Sequence, residues 1–206
     1  MKHRRVKAGF LITAWLPFCW LTMQLLHELG HLGAAWRQGV EVVQFHFGLL
    51  TVSHTMLDEA GQSQATVLAV TWAGPIAGMI LPLAIWGVVV LFRFREAFLA
   101  RFLAGFCLVA NGCYLLCGPA DGYADTGVLL ANGAMRWHLV VVGILGIVLG
   151  FLLWNRQGSH FGIGQTSHPI RLQSIAVSVI CLVSMILFAL SMRTGMSEGS
   201  SACASP

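Results

Sequence analysis

The chain has 206 residues, of which 57% are hydrophobic and only 10% charged, with a formal net charge of +4. Soluble domains carry about 25% charged and about 45–50% apolar residues, so this composition excludes a water-soluble globule, a disordered chain and a coiled coil. The apolar residues fall in long runs, as in an integral membrane protein, with room for about five or six spans of about 20 residues and no sizeable soluble domain.

Residues 8–36 read as the first span, apolar as far as Gln24 and polar beyond it, with Pro17 inside. Residues 39–66 change character. Val40 to Phe47 and Thr51 to Thr55 alternate, and Asp58-Glu59-Ala60-Gly61 is a turn, so a small β-hairpin or sheet is expected there. Residues 67–92 and 97–117 are the second and third spans, separated by the basic turn Arg93-Phe94-Arg95-Glu96. Residues 118–136 form a polar break holding Asp121 and Asp125. Residues 137–154 and 170–192 are the fourth and fifth spans, joined by a loop rich in Gly, His and Ser. The expected fold is an all-α polytopic membrane protein of about five transmembrane helices with a small β insertion after the first. Residues 1–193 are expected to form one domain and residues 194–206 a flexible polar tail.

Five cysteines, Cys19, Cys107, Cys113, Cys117 and Cys181, lie in apolar runs and Cys203 in the tail, without the spacing of a disulfide framework or a CxxC clip. They read as small hydrophobes. With the N-terminus in the cytoplasm, nine of the twelve Lys and Arg residues fall on inside segments and only Arg37, Arg136 and Arg193 outside. The positive-inside bias therefore favours that orientation. Because these charges are spread over membrane-proximal turns, they imply a lipid bilayer and no nucleic-acid partner.

The sharpest motif is His27-Glu28-Leu29-Gly30-His31, an HExxH pattern within the first span. On a helix, positions i and i+4 share a face, so both imidazoles reach one zinc ion while the glutamate between them is placed to act on water. Ionisable residues within a span are costly and mark function. A catalytic zinc has three protein ligands and an open position, and the third must come from a short supply of three aspartates and five glutamates. Asp121 and Asp125 stand out. The first and third spans run in the same direction, which delivers the polar break to the side where His27 and His31 lie. One of the two aspartates is left for an N-cap or turn.

HELGH, Ala73-Gly74-Pro75 at the start of the second span, and Pro119-Ala120-Asp121-Gly122 after a span containing Asn111 together resemble the site-2-protease-like family of intramembrane zinc metalloproteases, over about residues 20 to 130. The resemblance implies zinc held by His27, His31 and Asp121, with Asp125 as the alternative third ligand, Glu28 as general base, and Asn111 in substrate binding. It implies regulated intramembrane proteolysis of membrane-protein or peptide substrates. The chain departs from the family pattern at Gly78, where members carry an asparagine, and in the longer spacing from Asn111 to Asp121. A second class of function, a catalytically inactive metal-binding scaffold or regulator of another membrane protein, fits those departures. His46 and His54 read as structural residues of the strand-like stretch that could face the site.

Overall fold

The computed structural model describes residues 2–58, 60–118, 124–163 and 169–201. Among them run α1 (Lys2–Gln38), β1 (Val42–His46), β2 (His54–Leu57), α2 (Gln64–Leu91), α3 (Ala97–Cys117), α4 (Asp125–Ala131), α5 (Arg136–Trp154) and α6 (Leu172–Ser201). A 3-10 turn, Gln157–Phe161, lies between α5 and α6. The fold is the expected one: α1, α2, α3, α5 and α6 are long and apolar enough to cross a membrane, and β1 and β2 form an antiparallel pair after the first helix. Five such helices fit an integral multi-pass membrane protein.

Two details differ from the sequence pattern. The polar break after α3 contains α4, whose seven residues are too few to register as a periodic run. The last helix continues to Ser201, through residues expected to form a polar tail.

α3 is the central helix, with 56% of its most apolar window buried, against 11% for α6. It packs most extensively on α5, through glycines seven residues apart on each helix. A Cβ at Gly112 would stand 2.7 Å from the Gly143 carbonyl oxygen, and one at Gly150 would stand 2.7 Å from that of Gly105. Lipid offers no hydrophobic drive between helices, so close backbone approach at small residues holds such pairs. At one end of the bundle Leu11, Trp15 and Cys19 of α1 pack with Leu99, Leu103 and Cys107 of α3, closed by Phe161 and Ile170.

At the other end the hairpin folds back along α1. The Val40 amide donates to the Ala35 carbonyl, Thr55 bonds Glu28, Ser53 bonds Gln24, and Phe47 packs with Leu21. Its contacts therefore climb α1 from Ala35 to Leu21, a rise of about 21 Å. The 37 residues of α1 are about 55 Å long, against a hydrocarbon core of about 30 Å. The tip of the hairpin therefore reaches well down the flank of α1, where Leu50 is 97% and Val52 74% exposed. Thr55, Ser53, Phe45 and Phe47 form the face turned to α1.

Candidate metal centre

α1 brings His27 and His31 to one face, and α4 supplies the third group. Nε2 of His27 lies 2.8 Å and Nε2 of His31 3.3 Å from the same oxygen, Oδ2 of Asp125. One donor atom from each of the three residues falls within 4.8 Å of the others, so they could hold a metal ion. Asp125, given above as the alternative third ligand, is brought to the histidines. Asp121 lies outside the described residues.

The opposite nitrogens fix the tautomers. His27 Nδ1–H donates to Oδ1 of Asn111 at 2.7 Å, and His31 Nδ1–H donates to the Val70 carbonyl of α2 at 2.9 Å. The Asn111 amide cannot be turned the other way, because its Nδ2 donates to the Cys107 carbonyl at 2.9 Å. With each Nδ1 engaged by an oxygen acceptor, Nε2 is the atom that faces the carboxylate, as a donor in the imidazolium and as a ligand in the neutral ring. The positive charge between these three atoms can come from a proton on Nε2 or from a metal ion. An oxygen acceptor behind each ligating imidazole is the usual outer layer of a metal site.

Asp125 opens α4, and its backbone N–H donates to the Tyr114 hydroxyl at 3.0 Å. The Tyr114 ring meets His27 edge-on at 5.6 Å. Burial by itself would push the Asp125 carboxyl up, but hydrogen bonds with His27 and His31, and their charge, outweigh it and hold the group well below the usual carboxylate range. Asp125 is thus anionic, the state metal ligation requires.

Glu28 points to a different neighbour. It is 5% exposed, and its Oε2 accepts a hydrogen bond from the Thr55 hydroxyl of β2 at 2.7 Å. One turn earlier Gln24 Oε1 accepts from the Ser53 amide at 2.7 Å, while Ser53 Oγ accepts from the Gly48 amide at 3.1 Å. α1 therefore carries two polar rows with i, i+4 spacing: His27 and His31 toward α2, α3 and α4, and Gln24 and Glu28 toward the hairpin.

Two glycines make room for this arrangement. A Cβ on Gly30 would collide with the Ala73 carbonyl oxygen and one on Gly74 with the His31 ring, so α1 and α2 approach closely enough for His31 to reach Val70. The departure at Gly78 has a similar cause: a Cβ there would stand 2.7 Å from Nδ2 and 2.8 Å from Oδ1 of Asn111. Asn111 fills the space that a side chain at position 78 would take. Asn111, expected beside the substrate, is 1% exposed and both ends of its amide are bonded within the protein. Its visible contact is with a candidate ligand.

Asn111 as a support for His27, Thr55, Tyr114 and the Val70 carbonyl were not legible as site groups in the sequence. A backbone carbonyl leaves no mark there, and Thr55 only follows from knowing that the hairpin folds back on α1. His46 and His54 are not part of the three-residue cluster among the described residues. Neither are Cys113 and Cys117, which are exposed.

Fold and site together define a multi-pass membrane protein with a three-residue candidate metal centre. No family model, curated protein or solved structure matches the chain.

Proposed function

We propose that this chain is an intramembrane zinc metallopeptidase of the site-2-protease-like kind, cleaving peptide bonds in or near transmembrane segments of membrane-protein substrates. The observation that carries the proposal is the convergence of two Nδ1-protonated histidines of an HExxH helix on one anionic aspartate, with the motif's glutamate held separately by the hairpin. Two imidazoles and a carboxylate form a donor set suited to zinc with a position left open. When bound, such an ion acidifies water and polarises a carbonyl.

His27, His31 and Asp125 would hold the ion, and Asn111, Val70 and Tyr114 keep those three in place. Glu28 accepts a proton from the attacking water and returns it to the leaving amine. Thr55 occupies Oε2 of Glu28, which leaves Oε1 for that exchange. A substrate helix hides its carbonyls in its own hydrogen bonds, so it must unwind locally before cleavage. A two-stranded sheet has a free edge that can pair with an extended segment, and the hairpin at the flank of Glu28 is suited to receive it. The bias of Lys and Arg toward one set of connecting segments supports an N-terminus in the cytoplasm.

Replacing Glu28 with Gln tests the assignment. Zinc content of the purified protein should be unchanged, while cleavage of a co-expressed single-span substrate falls by about 10²–10⁴-fold or more. Cleavage at the wild-type rate in Glu28→Gln contradicts the mechanism.

A further inference from the structure

The hairpin holds a second pair of imidazoles that the proposed reaction does not use. His46 and His54 are direct partners in the register of β1 and β2, and their rings stack with centroids 5.1 Å apart and planes inclined by 30°. Successive side chains of a strand point to opposite faces. Since Phe45 and Thr55 face α1, His46 and His54 face away from it. Their level is set by their neighbours: Ser53 is bonded to Gln24 and Thr55 to Glu28, so the pair lies alongside the turn of α1 that carries the HExxH motif.

The His54 side chain is exposed and that of His46 half-buried. Nε2 of His46 is 3.3 Å from the Thr51 hydroxyl, and the His54 ring has no hydrogen-bond partner among the described residues. With the His46 Nε2 proton turned to Thr51, its Nδ1 keeps a lone pair. Two zinc–nitrogen bonds of about 2.0–2.1 Å bridge nitrogens up to about 4 Å apart, which small side-chain rotations of two stacked rings can supply.

We propose that His46 and His54 form a second metal site, chelating a divalent first-row transition ion of the imidazole-preferring kind, such as zinc. Water completes its coordination, since the pair lies on the open face of the sheet. An ion there ties β1 to β2 at the rung beside Thr55 and so fixes the register of the strand that holds Glu28. The site is independent of His27, His31 and Asp125.

Equilibrium dialysis of the full-length, detergent-solubilised protein against zinc tests this directly. Wild type should bind two equivalents; His46→Asn, His54→Asn and the His27→Ala/His31→Ala pair should each bind one. Wild-type stoichiometry in both His46→Asn and His54→Asn overturns the proposal. One equivalent in wild type, lost in His54→Asn but kept in His27→Ala/His31→Ala, supports the second site and contradicts the peptidase centre instead. His54→Cys guards against loss by misfolding: it should keep two equivalents and, loaded with cobalt(II), gain thiolate-to-metal absorption over wild type. Absence of that absorption overturns the proposal.

Discussion

The two halves of α1 solve the membrane problem in different ways. In the first half, Leu11, Trp15 and Cys19 fill an apolar layer with α3, and Nε1 of Trp15 is buried there with no hydrogen-bond partner among the described residues. In the second half, each ring of the histidine pair is bonded on both nitrogens and Glu28 is bonded to Thr55. Side-chain shape determines the first half and side-chain orientation the second. A change in the apolar half should therefore alter stability alone, whereas a change in the polar half should alter metal affinity or turnover.

The largest effect short of removing a ligand is expected at Asn111. Asn111→Ala takes away the acceptor behind His27 and should weaken zinc binding about 10–100-fold, measured by competition with a chelator. Asn111→Asp keeps an acceptor at that point and should recover most of the affinity. A smaller effect is expected at Thr55. A hydrogen bond to a charged group contributes about 1.5–3 kcal/mol, so Thr55→Val should lower kcat about tenfold with zinc content and KM unchanged, and Thr55→Ser should restore it. Reduced zinc content in Thr55→Val would mean that the hairpin row and the histidine row are not separate. The smallest effect is expected in the apolar half: Trp15→Phe removes a buried donor that has no partner among the described residues and should change thermal stability by about 1 kcal/mol or less, with zinc affinity as in wild type.

The five spans and the hairpin were legible because each depends on local pattern alone: runs of about 20 apolar residues for the helices, alternation over residues 40–55 for the strands. The same holds for the motif, since His27, Glu28 and His31 are close in sequence. The candidates for a third ligand were narrowed to Asp121 and Asp125 by counting crossings, but that α4 carries Asp125 to the histidines was not legible, because a seven-residue helix has no periodicity to read. Groups that act from a distance in sequence, Asn111 on His27 across 84 residues and the Val70 carbonyl on His31 across 39, follow only from helix packing. The glycines were the indirect signal: Gly30, Gly74 and Gly78 each stand where another element touches.

The central claim is that His27, His31 and Asp125 hold zinc, and metal analysis of purified protein tests it most directly. Measured in the His54→Asn background, to remove the hairpin pair, the protein should carry one zinc per chain; adding Asp125→Ala should reduce this to near zero, and adding Asp121→Ala should leave it unchanged. Full zinc content with Asp125→Ala, or its loss with Asp121→Ala alone, would contradict the assignment.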